Sequence, residues 1–203
     1  VIQARALSTG WLLVGALGCG GGTTSPGGNS ASGSVDGVSL PVASGFAFVG
    51  PSTLSGCYGQ TCDPFGDTVE VVLTNKASFT CSFVTSQANV TFANAAALTL
   101  EVGNATAVGP RTYAIDTAGA GDGAWPLAAA WFATTTADCG AGLSVRATGG
   151  SITLSTASAS HVAGSYTATF AQGTLTGSFD LDVCSLADAS TRTEDAGAPQ
   201  CVQ

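Results

Sequence analysis

Residues 150–156 read GSITLST, residues 164–170 read GSYTATF and residues 177–183 read GSFDLDV. In each copy apolar side chains alternate with Ser, Thr or Asp: Ile152 and Leu154; Tyr166, Ala168 and Phe170; Phe179, Leu181 and Val183. A period of two over this length belongs to a strand with one face buried and the other in water. Ala171-Gln172-Gly173-Thr174 separates the last two copies and predicts a hairpin turn. Residues 150–184 therefore read as an antiparallel meander. The repeated Gly-Ser predicts a bend or bulge where a bulky side chain of a neighbouring strand needs room.

Working outward, the remaining strands are less regular. Candidates are residues 34–42, with Asp36-Gly37 as a turn, and 44–49, with Phe46 and Phe48 on one face. Further candidates are 69–74 (VEVVLT), 79–84 (FTCSFV), 97–102, 111–115, 127–136 and 143–148. The Ala-rich run at 93–97 suits a short helical turn that nothing extends. Residues 51–68 contain Pro, Gly and two cysteines and read as a loop. Gly is abundant, with 28 residues, and only 9% of the chain is charged. Small, β-branched and turn-forming residues dominate. The expected fold is all-β: a disulfide-bonded antiparallel β-sandwich or partly open barrel of about 8–10 short strands, spanning residues 35–184.

At the N-terminal end, Arg5 precedes an apolar stretch from Trp11 to Leu17, then Gly18 and Cys19. That order is basic, apolar, small, and the run is too short to span a bilayer as a helix. The sequence Ala16-Leu17-Gly18-Cys19 resembles the lipobox of a bacterial lipoprotein signal peptide, with Ala16 where Leu is commonest. The resemblance implies cleavage after residue 18, lipidation and acylation of Cys19, and attachment to a membrane through that residue. Gly20, in place of Asp, resembles an outer-membrane sorting signal. Several acyl chains anchor where one does not, at about 0.8 kcal/mol per buried CH₂. Residues 20–34, GGGTTSPGGNSASGS, have the composition of a flexible linker, so 19–34 reads as lipidated Cys plus tether.

The seven cysteines are 19, 57, 62, 81, 139, 184 and 201. Assigning Cys19 to lipid leaves six, enough for three disulfides in an oxidising compartment. Six cysteines permit 15 connectivities. Proximity along the chain suggests Cys57–Cys62 around a loop, Cys184–Cys201 lashing an otherwise irregular tail (185–203), and Cys81–Cys139 as the remainder. Their spacing matches no zinc pattern, so neither a metal nor a cofactor is expected.

Residues 33–184 also resemble a broad group of Cys-containing bacterial lipoproteins. They share GxVxG (Gly33 to Gly37), Gly-Pro-x-Thr-Tyr (Gly109 to Tyr113) and a late Gly-Ser-Phe (Gly177 to Phe179) before a terminal Cys. The resemblance brings no activity with it.

A search for chemistry yields little. His161, the sole histidine, falls on the outward phase of its strand. Asp180 and Asp182 share one face of theirs, as a solubilising pair, a cation site or paired acids. Asp63, Asp67 and Glu70 border the stapled loop and could collect a cation. Tyr58, Trp125 and Trp131 would form a sugar-stacking platform if exposed, whereas a continuous strand at 127–136 places Trp131 in the core. The net charge of −8, with 5 basic against 13 acidic residues, excludes a phosphate-rich partner such as nucleic acid. The expected protein is a lipid-anchored component of the cell envelope, in the outer membrane, with its domain in the periplasm or at the cell surface. Its role is structural or binding, toward envelope polysaccharide or protein. A carbohydrate- or small-ligand-binding module is the alternative, and an Asp/Glu-dependent hydrolase the third reading.

Overall fold

The computed structural model describes residues 28–51, 67–81, 83, 90–104, 106–115, 127–184 and 200–203. Twelve strands occur among them: β1 (Ser30–Val35), β2 (Ser44–Pro51), β3 (Asp67–Thr74), β4 (Val90–Phe92), β5 (Ala96–Gly103), β6 (Arg111–Ala114), β7 (Leu127–Thr135), β8 (Ala141–Arg146), β9 (Gly149–Ala157), β10 (His161–Phe170), β11 (Gly173–Asp182) and β12 (Gln200–Val202). Sheet I has the order β1-β11-β10-β9-β6 and sheet II the order β2-β3-β5-β7-β8. Both are antiparallel throughout. A short parallel pair, β4 with β12, stands beside them. Both five-stranded sheets are open, so the fold is a sandwich and not a closed barrel.

The main core lies between the sheets. Sheet I contributes Ile152, Leu154, Val162, Tyr166, Leu175, Phe179 and Leu181, and sheet II contributes Val69, Val71, Leu73, Leu98, Leu100 and Phe132. Phe132 and Phe170 meet across it edge-on, 6.3 Å between centroids.

The meander 150–184 forms as its alternation requires. The turn Ala171-Gln172 joins Phe170 to its partner Gly173. The Gly-Ser repeats have a steric cause: a Cβ would meet a neighbouring backbone carbonyl at all three glycines, that of Thr167 at Gly150, Thr153 at Gly164 and Ser30 at Gly177, and two of the three also face a ring. Gly164 pairs with Phe179 and Gly177 with Tyr166, so these two lie opposite an aromatic ring of the adjacent strand. A Cβ on Gly164 would come within 2.8 Å of the Phe179 ring, and one on Gly177 within 2.8 Å of the Tyr166 hydroxyl. A bulge between β10 and β9 falls at Ala163/Gly164. The other motifs are structural as well. Asp36 and Gly37, at φ 50° and 75°, make the two-residue turn that bonds Val35 to Val38. In Gly109–Tyr113, the Tyr113 hydroxyl donates to the Gly109 carbonyl (2.8 Å) and accepts from the Gly109 N–H (3.0 Å), a tyrosine corner that fixes the start of β6.

Several expectations change. Of the candidate strand 79–84, the described residues 79–81 and 83 are not in a strand. Phe79 and Thr80 lie in a turn bonded back to Lys76 and Ser78. Phe79 and Phe83 rings stand 5.9 Å apart, whereas four residues of strand would separate them by about 13 Å. The turn lets both rings join Phe46, Phe48 and Phe92 in a second apolar cluster on the outer face of sheet II. The Ala-rich run bends only at Ala93-Asn94 and is strand from Ala96. β1 begins at Ser30, inside the stretch whose composition reads as linker, and β12 lies inside the tail read as irregular.

Among the described residues the disulfides are Cys81–Cys184 and Cys139–Cys201, in place of Cys81–Cys139 and Cys184–Cys201. After β11 the chain crosses to the edge of β2, where Val183 bridges Ala47 and the Cys184 N–H donates to the Ala47 carbonyl at 2.7 Å. That brings Cys184 to the aromatic cluster and Cys81. The pairing of β12 with β4 brings Cys201 to the β7–β8 turn that holds Cys139. Neither crossing is visible in sequence distance. Cys57 and Cys62 lie outside the described residues, as does Cys19.

Candidate functional site

The expected ligand-face residues do not converge. Asp180 and Asp182 project from the outer face of β11, and His161 projects beside them from β10. His161 Nε2 lies 3.1 Å from Asp180 Oδ1, and Nδ1 lies 3.7 Å from Asp182 Oδ1. The outward phase of His161 is as its strand predicts. The histidine bridges the two carboxylates, which face it and not each other. The Asp180 N–H donates to Asn29 Oδ1 at 2.9 Å, so the same corner also receives the chain leading into β1.

Trp131 lies on the other sheet. Its strand is continuous, yet the side chain is on the outer face of sheet II and half-buried, not in the core. The reason is phase: Ala130 and Phe132 take the inward positions. Arg146, its register partner on β8, places its guanidinium over the indole, 5.5 Å from the ring centroid. The ring face that a sugar would stack on is therefore engaged by a cation. Trp125 and Tyr58 lie outside the described residues.

One polar cluster was not assembled by sequence reasoning. Glu70 on β3 and Glu101 on β5 are register partners on the outer face of sheet II. Both are half-buried. Burial, and secondarily the charge of Glu101, pushes the Glu70 carboxyl up to about 7. Burial also raises Glu101, while Arg146 pulls it back. Phe48 neighbours Glu70 across the strand on the β2 side, and Ala129 neighbours Glu101 on the β7 side. These carboxyls are thus bordered by apolar side chains. The signal was available: VEVVLT and LTLEV each set one Glu within a strand of apolar residues. The pairing of β3 with β5 was not.

Among the described residues, no group of three or more His, Cys, Asp or Glu side chains is arranged to hold a metal ion. Asp67, at the start of β3, accepts the Asn104 N–H through its backbone carbonyl at 3.1 Å, and Asp63 lies outside the described residues. Comparison with protein families, with curated proteins and with solved structures finds no match.

Proposed function

We propose that this chain is a lipid-anchored protein of the cell envelope, held through Cys19 in the outer membrane, whose β-sandwich has a structural or binding role. The observation that carries the reading is where the folded unit takes hold of the chain. The Ser178 hydroxyl donates to the Gly28 carbonyl at 2.9 Å, and Asn29 and Ser30 are bonded to Asp180 and Ser178. The sheet therefore holds the chain from Gly28 onward among the described residues, and the composition of residues 20–27, GGGTTSPG, suits a spacer between Cys19 and that hold.

Among the described residues, the side chains best suited to chemistry do not converge but fall into two groups on different sheets: His161 with Asp180 and Asp182 on sheet I, and Glu70 with Glu101, Arg146 and Trp131 on sheet II. This supports a scaffold or docking role over catalysis. The test is Cys19→Ser in the full chain. Loss of fatty-acid labelling, with release from the membrane fraction, is expected. A variant that stays labelled and membrane-bound overturns the anchor.

A further inference from the structure

The two described disulfides sit in opposite surroundings. Cys184 is 3% exposed and, with Cys81, packs among Phe46, Phe48 and Phe79. Cys201 is exposed, as is every residue of β12. Its partner Cys139 occupies the β7–β8 turn with φ of 62°, a left-handed conformation that non-glycine residues adopt rarely and at a cost. The Cys139 sulfur lies 3.3 Å from the Thr91 carbonyl, and Thr91 is the register partner of Cys201. The cross-link thus sits at the centre of the β4–β12 pair.

Among the described residues, little else holds β12 and its flank: the Ala93 N–H donates to the Val202 carbonyl, and Gln203 Nε2 donates to the Ala137 carbonyl at 3.4 Å. β12 offers three residues to a parallel ladder, the weaker kind of pairing, and buries none of its side chains. β4 has independent support. Val90 and Phe92 are buried, and the buried Thr135 hydroxyl donates to the Phe92 carbonyl and accepts from the Ala95 N–H.

We infer that Cys139–Cys201 is a redox-releasable clasp: a dithiol reductant opens it and frees β12 from β4, while the sandwich and Cys81–Cys184 stay intact. One thiolate of the reductant attacks the sulfur of the exposed residue Cys201, forming a mixed disulfide and expelling Cys139 as thiolate. The reductant's second thiolate then attacks its own sulfur in the mixed disulfide and releases Cys201. The reductant is oxidised to a disulfide by two electrons, the cystine is reduced to two thiols, and two protons pass to the cysteines. Departure of β12 uncovers one edge of β4.

The experiment exposes the full chain to increasing dithiothreitol, followed by alkylation, peptide mapping and amide hydrogen exchange. Cys139 and Cys201 should be alkylated roughly tenfold faster than Cys81 and Cys184, because access limits the exchange. The Ala93 amide, bonded to the Val202 carbonyl at 2.8 Å, should lose protection at the same step, while β10 and β11 amides keep theirs. Cys201→Ser should show the unprotected Ala93 amide without any reductant. Simultaneous reduction of both disulfides, or an Ala93 amide that stays protected in the reduced protein or in Cys201→Ser, overturns the inference. So does cooperative unfolding of the sandwich when this bond alone is opened.

Discussion

Sheets I and II use their outer faces differently. Sheet I buries one face and leaves the other to Ser, Thr and Asp, so its strands alternate and each residue's side is set by parity. Sheet II is covered on both over β2 and β3. Its inner face joins the main core, while Phe46, Phe48 and Val72 on the outer face form the second cluster with Phe79, Cys81 and Cys184. Strands buried on both faces lose the alternation, because polar residues have no face on which they are needed. Among the polar residues on the outer face of sheet II, the half-buried Glu70 and Glu101 therefore carry an energetic penalty in their charged forms.

The sharpest way to break this comparison is to remove the cross-link of the second cluster. Replacing Cys81 and Cys184 together by Ala opens a loop of sequence separation 103 and should cost about 4 kcal/mol in denaturant unfolding. A loss below about 1 kcal/mol would mean that the outer cluster is not a core at all. Next comes the single-faced sheet. Gly177→Ala forces a Cβ to within 1.9 Å of the Ser30 carbonyl and 2.8 Å of the Tyr166 hydroxyl. Since the first obstacle is backbone, the change should cost about 3 kcal/mol and loosen β1. An unchanged melting curve would show that sheet I tolerates bulk where its register forbids it.

The smallest effect concerns Glu70. Its folded value near 7 exceeds the reference 4.5, so between those values the folded state holds a proton that the unfolded state has released. Stability therefore falls as pH rises from 4.5 to 7, and the penalty is complete above 7. Glu70→Gln removes it, so the variant should match the parent at pH 4 and gain on the order of 2 kcal/mol at pH 8, after discounting for partial exposure. Melting at both pH values checks this, and equal stability at pH 8 would place Glu70 in solvent like the aspartates of sheet I.

The same contrast explains what was legible. GSITLST, GSYTATF and GSFDLDV disclosed their strands, the hairpin and the outward histidine because one-sided burial writes itself into the sequence. Room for a bulky neighbouring side chain was anticipated at the glycines, and Phe179 and Tyr166 take it at Gly164 and Gly177, but Gly150 faces Ala168 and a bulge occurs only at Ala163/Gly164. FTCSFV was misread because alternation of apolar and polar residues also fits a turn that turns Phe79 and Phe83 to one side. The disulfide pairing and the Glu70–Glu101 contact depend on which strands become neighbours, and local pattern does not encode that. Trp131 shows the limit within a correct strand: the run Leu127–Thr135 is apolar enough to hide its phase until Ala130 and Phe132 are seen inside.

The bonds around Gly28, Asn29 and Ser30 also define a path for force. If the chain is tethered at Cys19, any pull on the domain enters through β1. There it meets the Ser178 hydroxyl on Gly28, the Asp180 amide on Asn29, and the Tyr166 hydroxyl, which donates to the Ser30 carbonyl at 3.0 Å. Tyr166 belongs to β10, one strand further in, so load reaching Ser30 passes to two strands of the sheet. Peeling of the edge strand is resisted at its first residue, where a tether would otherwise start the tear.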